Sequence, residues 1–216
     1  MTQDIHAERE LIADEIAEIA YADIAQNYGE NGLNPKEGHD DRHARSSVEA
    51  GKKIVDLAIE TGRLDRSLKA LTVISLANHD RVLNLGSGRN ERASGILAGK
   101  DMEPYKVYTI EDRRNVAKGI NGTATYFIGR VMFQTAGKHP LAQIDADADL
   151  ANLGSDNQTF TEISGRIFRE GYPEGTDEEE FISFQKVLLG SHKFYTPEAK
   201  IIFPHQQENL KLLMSQ

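Results

Sequence analysis

The sequence LKALTVISLANHD, residues 68–80, decides the fold that we predict for this chain. Its aliphatic residues recur at the spacing that places them on one face of a helix, namely Leu68, Leu71, Ile74 and Leu76. We therefore predict an interior-facing helix from about Leu64 to Asn84. Because His79 and Asp80 are neighbours on this helix and point in different directions, one ligand can touch both only at the edge of a cleft.

Helical spacing extends through most of the chain, and no segment shows a convincing strand-like alternation. We predict an all-α fold, a single helical bundle over residues 1–216, with helices at about 4–27, 41–61, 64–84, 91–97, from Thr109 to about Ala136, 177–189 and 206–213. The helix over 4–27 is amphipathic. We expect it to pack on the bundle's own core, and partner binding or dimerisation is the alternative.

Length and composition favour one compact domain in a reducing compartment. The chain has 216 residues, no cysteine and a formal net charge of -9. The lack of cysteine excludes disulfides and thiolate metal sites, and the negative charge argues against a broad nucleic-acid surface. The sequence begins with an acidic amphipathic segment, and no apolar run approaches a membrane span, so we expect a cytoplasmic protein without a membrane partner. No pattern specifies the oligomeric state.

Three separated segments carry residue types that bind divalent metals. They are His43, the pair His79-Asp80, and the acidic cluster Ile144–Leu150, which contains three aspartates. Two imidazoles and two carboxylates form a mixed nitrogen and oxygen donor set that suits Mn²⁺, Mg²⁺, Fe²⁺, Co²⁺ or Ni²⁺. The pattern therefore predicts a catalytic divalent metal site.

The same residue types also have ordinary structural roles. A His-Asp dipeptide is expected roughly once by chance in a chain of this length, and here it occurs twice. Asp40 or Asp41 is suited to cap the second helix, and a histidine such as His79 is favoured by the dipole at a helix C-terminus. The order and surroundings of the motifs, rather than either dipeptide alone, indicate metal binding.

Those surroundings resemble the HD-domain superfamily of metal-dependent phosphohydrolases, whose ligands come in the order His, His-Asp, Asp on successive helices. In one branch of small bacterial HD phosphohydrolases, a Tyr-His-Asn-x-x-His segment opens the site, and Gly38–His43 keeps both histidines but not the Tyr and Asn. Asn90–Ser94 matches the Asn-Glu-x-x-Ser segment that usually follows the His-Asp pair. Arg81–Arg89 departs from the usual apolar and aromatic stretch and borders the pocket, which leaves the substrate open.

The resemblance continues to about residue 213. Asp147–Gly154 matches the family's Asp-Ala-Asp-Leu-Ala-x-Leu-Gly, and two late motifs are matched by Phe194–Pro197 and Glu208–Leu210. The resemblance implies an HD-domain-like helical bundle with the metal ligands His43, His79, Asp80 and Asp149. Asp147 is the rival to Asp149. We expect Asp147 to cap a short helix that begins near Ala148, and Asp145 to be exposed to solvent.

The resemblance also implies catalytic residues beside the metal. They are Asp80 itself, His39 as a substrate contact or support, and His139 as an imidazole at the approach to the pocket. Glu91 either orders the metal water or orients a histidine, or it is an ordinary acidic residue in the first turn of a helix. Cations that could hold a phosphate, though each is ordinarily a surface charge, are Lys138, Arg42, Arg45 and Arg169, together with His139.

The function expected from these residues is hydrolysis of a nucleotide or another small phosphate ester by metal-activated water. Two alternatives remain. The same superfamily includes di-iron oxygenases, which need further histidine ligands, and His39 and His139 are the only plausible ones here. A regulatory module that binds metal without catalysis is the other alternative, because fold does not fix function.

Overall fold

The computed structural model describes residues 4–128, 131–171 and 178–215. The predicted all-α class is confirmed, since this part of the chain is about 70% helical. The elements are α1 Ile5–Tyr28, α2 Asp41–Glu60, α3 Ser67–Asn78, α4 Arg89–Met102, α5 Ile110–Gly122, β1 Thr125–Ile128, β2 Val131–Gln134, α6 Pro140–Asp149, a 3-10 helix Ala151–Gly154, α7 Asn157–Gly171, α8 Glu178–Ser191, α9 Pro197–Ile202 and α10 Gln206–Met214. Asp177, the predicted first residue of α8, lies outside the described residues.

Helix α3 lies at the centre, in contact with α1, α2, α4, α5 and α6. Every residue from Ala70 to Asn78 is buried, as expected for a helix that is apolar on nearly all sides. The two hydroxyls in this run are satisfied within the helix, because Thr72 donates to the carbonyl of Leu68 and Ser75 to that of Leu71. The hydroxyls of Thr72 and Ser75 can therefore lie in the core with their hydrogen bonds made inside the helix.

The end of α3 comes earlier than predicted, at Asn78 rather than near Asn84. Arg81, which is buried, donates to the side chain of Asn78 at 2.7 Å and to the carboxylates of Asp23 in α1 and Asp101 in α4. These bonds hold the chain in a turn directly after the helix. His79 and Asp80 therefore lie on the turn itself, at the edge of the core.

Helix α1 packs along α3 and α2, with Ile16, Ala20 and Ile24 fully buried. Helices α5 and α6 also pack closely, because glycines replace side chains where they meet. A Cβ atom at Gly122 would lie 2.7 Å from the carbonyl oxygen of Ala142. This close approach fixes α6 against the core.

The helical prediction from Thr109 to about Ala136 is wrong after Gly122. Thr109 caps α5 as predicted, but β1 and β2 then form an antiparallel pair in which Thr125 is opposite Gln134. The rings of Tyr126 and Phe133 stack with centroids 5.6 Å apart. Ser87 donates to the carbonyl of Thr125 at 2.8 Å, so this hairpin lies against the loop that follows His79 and Asp80.

Within the described residues, no helix combines the length and the apolar character that a bilayer crossing needs.

Replacing Arg81 by alanine should destabilise the fold, because it leaves the carboxylates of Asp23 and Asp101 without their shared partner. Both aspartates are partly exposed, with 44% and 21% of their side chains accessible. We therefore expect a loss of about 2–3 kcal/mol in the free energy of unfolding, below the usual range for a fully buried pair. Urea denaturation measures this loss in the free energy of unfolding. Arg114→Ala, which breaks an exposed pair with Glu111, should cost at most about 0.5 kcal/mol. Equal losses would contradict the proposed importance of Arg81.

Candidate metal centre

Three helix ends bring His43, His79 and Asp149 together, with one ligand atom of each within 4.8 Å of the others. Nε2 of His43 lies 3.2 Å from Nε2 of His79 and 3.1 Å from Oδ1 of Asp149. Oδ2 of Asp80 is 3.1 Å from Nε2 of His79 and 3.5 Å from Nε2 of His43. Four of the residues singled out in the sequence therefore meet at one point.

His43 is the third residue of α2, and the start of this helix is fixed by a buried carboxylate. Asp40 is the N-cap, as the sequence predicted, and accepts the backbone N–H of His43 at 3.1 Å. Arg42 donates to Asp40 at 2.6 Å, and Arg166 of α7 donates to it at 2.7 Å. Two cations thus hold the cap that positions His43.

His79 is held with its outer nitrogen toward the site. Nδ1 donates to the carbonyl of Leu76 at 2.6 Å, which leaves Nε2 facing His43, Asp80 and Asp149. Burial opposes protonation of His79, but the charges of Asp80 and Asp149 outweigh it and raise its pKa well above the ordinary value. A fixed Nδ1 with a free Nε2 is the arrangement that metal-binding histidines adopt.

The two carboxylates of the site favour a cation. Burial opposes their ionisation, but the neighbouring histidines lower the pKa of both Asp80 and Asp149 below the ordinary value. Oδ2 of Asp80 is buried and has no hydrogen-bond partner. A divalent ion with bonds of about 2.1 Å holds neighbouring ligand atoms roughly 3.0–3.4 Å apart. The observed separations and the unpartnered oxygen both fit such an ion.

The acidic cluster forms the second half of α6, and only Asp149, its last residue, reaches the ligand group. The expected capping role of Asp147 near Ala148 is wrong. Its carboxylate accepts three hydrogen bonds, from the backbone of Tyr195 and from the backbone and hydroxyl of Thr196, at 2.7–2.8 Å. Asp147 thus holds the turn before α9, although burial raises its pKa to about 6.

Asp145 is fully buried, so the expectation that it is exposed to solvent is wrong. It lies one turn before Asp149 on the same face of α6, against Gly119 of α5. Neither of its carboxylate oxygens has a hydrogen-bond partner. Burial raises the pKa of Asp145 well above the ordinary value.

His39 lies in the loop before α2, which begins at Asp41. Glu170 of α7 holds Nδ1 of His39 at 2.8 Å and accepts the backbone N–H of Gly38 at 2.7 Å. Partial burial opposes protonation of His39, which keeps 40% of its side chain exposed. The hydrogen bond to Glu170 and the charge of Asp80 outweigh it and raise the pKa of His39 to about 9.

A cavity of about 200 Å³ adjoins the ligand group, and its wall includes His39, Asp80, Glu91 and Asp149. Glu91 is the third residue of α4, and its carboxylate accepts the backbone N–H of Gly88 at 2.5 Å. Burial and the nearby charges of Asp80 and Asp149 raise the pKa of Glu91. The structure therefore places two of the candidate catalytic residues, His39 and Glu91, beside the ligand group.

His139 is not brought to this cavity. It is the N-cap of α6, whereas Asp149 is the last residue, so about 15 Å of helix separates them. Nε2 of His139 is 3.2 Å from the side chain of Asn115, and burial lowers its pKa. Lys138 precedes His139 at the same remote end of α6.

The other proposed phosphate-binding cations are paired elsewhere. Arg42 binds Asp40. Arg45 binds Glu18 and lies 4.0 Å from the ring centroid of Tyr21. Arg169 binds Glu37 at 2.7 Å. Each therefore stabilises the scaffold.

Sequence reasoning missed the residues that support the ligands. Arg81 directly follows Asp80, and a lone arginine at the end of an apolar run was the available signal. Arg166 and Glu170 gave no such signal, because more than 120 residues separate them from Asp40 and His39. Their spacing of four marks one face of a helix but does not identify what that face binds.

No protein-family model matches the chain, and no curated protein matches it at a significant level. The geometry of the site is therefore the basis for a functional assignment.

Two single alanine variants, at Asp149 and at Asp147, should distinguish a metal ligand from a structural carboxylate. Asp149→Ala should lower Mn²⁺ affinity at least about a hundredfold, in line with the loss of one charged ligand. Asp147→Ala should retain the affinity but lower the free energy of unfolding by about 2–4 kcal/mol, because three hydrogen bonds to a buried carboxylate are lost. Calorimetric metal titration and urea denaturation measure the two effects. Equal losses of metal affinity would show that the ligand is misassigned.

Asp145→Leu should stabilise the metal-free protein at pH 7.5. Because its pKa is raised in the folded state, Asp145 keeps a proton there that the unfolded chain releases above about pH 4. Through this group, wild-type stability falls as the pH rises above about 4, until the pH passes the folded pKa. Leucine has a similar branched shape and no such penalty, so we expect a gain of about 1–3 kcal/mol. Urea denaturation of both proteins between pH 5 and 8 tests this. A variant of lower stability throughout would show that the buried carboxyl is required.

Proposed function

We propose that this protein is an HD-type metal-dependent phosphohydrolase that acts on a small phosphate ester. The observation that carries the proposal is the meeting of His43, His79, Asp80 and Asp149 at one point of a helical scaffold. Their order along the chain, His, His-Asp, Asp, is the order found in the HD superfamily. In this proposal Asp80 is the fourth ligand beside the His43, His79 and Asp149 group.

A divalent ion at this point would make bound water acidic enough to supply hydroxide near neutral pH and would neutralise charge on a phosphoryl oxygen. Two neutral imidazoles and two carboxylates would hold a hard or borderline divalent ion such as Mn²⁺, Fe²⁺, Co²⁺, Ni²⁺ or Mg²⁺. The hydrogen bond from His79 to the carbonyl of Leu76 and that from the backbone of His43 to Asp40 fix these two ligands before any ion binds.

The residues around the ligands are suited to move protons. His39 is held at Nδ1 by Glu170 and lies on the wall of the cavity with Asp80, which suits a proton donor to the leaving oxygen. Glu91 lies on the same wall and is anchored by the N–H of Gly88, so it is suited to orient a water molecule or accept its proton.

The position of His139 argues against the di-iron alternative. A second iron would need further histidine ligands, and His139 is about 15 Å of helix away from Asp149. His39 remains near the site, but Glu170 already holds its Nδ1. Of the two candidate histidines for a second iron, only His39 is near the site, so the di-iron alternative has little support.

The test begins with protein verified to be free of metal. Mn²⁺ at about 100 times its dissociation constant should stabilise the fold by about 2.7 kcal/mol, since it binds only where distant segments meet in the folded state. For a chain of this size, that corresponds to a rise of about 5–10 °C in melting temperature. The Mn²⁺-loaded protein should also release phosphate from members of a panel of nucleotides and sugar phosphates.

His43→Ala should lose both the thermal response to Mn²⁺ and phosphate release. His205→Ala is the matched control and should keep both, because His205 pairs with Glu208 on the surface. A wild-type melting temperature unaffected by Mn²⁺ would refute the metal site. Metal binding without phosphate release from any compound would favour the regulatory module, and two bound irons with a visible chromophore would favour the oxygenase.

A further inference from the structure

A second cavity opens on the other side of His43 and Asp149 and has a volume of about 320 Å³. It lies between α2, the 3-10 helix and α7, and its walls include Ser47, Lys53, Asn152 and Thr159. Pockets for small molecules typically measure about 300–1,000 Å³. This groove therefore has room for the organic part of a substrate, whereas the cavity beside His39 has about 200 Å³.

Small residues on α2 form one side of this groove. Ser46, Ser47 and Ala50 follow His43 at intervals of three and four residues, so they share its face of the helix. Lys53 lines the groove farther along and lies ten residues after His43, which is about 15 Å along the helix axis. The groove thus leads from the ligand group to a lysine.

Lys53 is available to bind an anion. It is exposed, and among the described residues no carboxylate lies within 4.0 Å of its ammonium group in an ion pair, whereas its neighbour Lys52 pairs with Asp14 and Glu49 at 3.7 Å. Glu49 also lines the groove, but its carboxylate faces Lys52. Among the described residues that line the groove, Lys53 is the only Lys or Arg.

We propose that this groove holds the body of the substrate and that Lys53 binds a second anionic group, remote from the phosphate that is hydrolysed. The substrate class is then a small phosphate ester with another phosphate or carboxylate at its far end. The inference rests on the proposed phosphohydrolase function, because the reacting phosphate is placed at His43, His79, Asp80 and Asp149. The hydroxyls and the amide of the groove, including Thr159 and Asn152, suit a polar body such as a sugar.

The test compares fructose 1,6-bisphosphate with fructose 6-phosphate, which differ by one phosphate. With the Mn²⁺-loaded protein, Lys53→Ala should raise KM for the bisphosphate about tenfold and change kcat less than twofold, since the lost contact is made equally in the ground and transition states. KM for the monophosphate should stay within twofold of wild type. Lys53→Arg should restore most of the preference, and Lys52→Ala should behave as wild type.

Calorimetric titration of both sugars into the Mn²⁺-loaded proteins separates this inference from the proposed function. Tighter binding of the bisphosphate that depends on Lys53, without phosphate release from either sugar or from any compound of the panel, would support the groove and refute the phosphohydrolase. Hydrolysis of both sugars with no gain from the second phosphate would overturn the role of Lys53 and leave the phosphohydrolase standing. Equal effects of Lys53→Ala on both sugars, or the same effect from Lys52→Ala, would also overturn it, as would a wild-type protein that binds neither sugar.

Discussion

The carboxylates of Asp80 and Asp149 meet two imidazoles at the edge of a buried core, and much of the surrounding structure holds these four groups in place. Bringing like charges out of water is unfavourable unless they are paired, and here Oδ2 of Asp80 remains without a hydrogen bond. Three of the four ligands are held by neighbouring groups. Leu76 orients His79, Asp40 fixes the start of the helix that carries His43, and Arg81 ties the turn after Asp80 to α1 and α4.

This arrangement separates the residues that hold the fold from those that face the site. Arg42, Arg45 and Arg169 all make ion pairs on the scaffold, although each was a candidate to bind phosphate. Among the described residues, His39 lies beside the ligands and is held by Glu170, and Lys53 lies farther along the larger groove. In the proposed function, a divalent cation held by the two carboxylates would attract an anion locally, although the protein as a whole is acidic.

The sequence was sufficient for the buried helix and for much of the ligand group, because both leave local signals. Helical spacing located α3, and the order of His43, His79-Asp80 and the acidic cluster located the site. The environments of the three aspartates in the acidic cluster could not all be predicted from local sequence. Asp145 and Asp149 are four residues apart and share one face of α6, whereas Asp147 lies about 200° around the axis and faces Thr196. The resemblance selected Asp149 as the ligand, but the buried positions of Asp145 and Asp147 depend on the packing of α5 and α9 and were not predicted.

Two other features were predicted wrongly from the sequence, and a third was not predicted. The strands β1 and β2 are four residues each, and they were not recognised although β-branched and aromatic residues are frequent in both. The resemblance implied that His139 lies at the approach to the pocket, but helix α6 separates it from Asp149. Lys53 gave no signal, because a lysine on an amphipathic helix is ordinarily a solvated charge.

Helix α7 connects the two sides of the site. Thr159, Ile163, Arg166 and Glu170 follow one another at intervals of four, three and four residues, so they lie along one face of this helix. The first two line the larger groove, while the last two hold Asp40 and His39. A ligand in the groove would therefore pack against the same face of α7 that positions His39 and the start of α2. In the proposed function, binding of the substrate body and alignment of the reacting groups would both depend on this helix, which contacts residues 36–42 through ion pairs and hydrogen bonds.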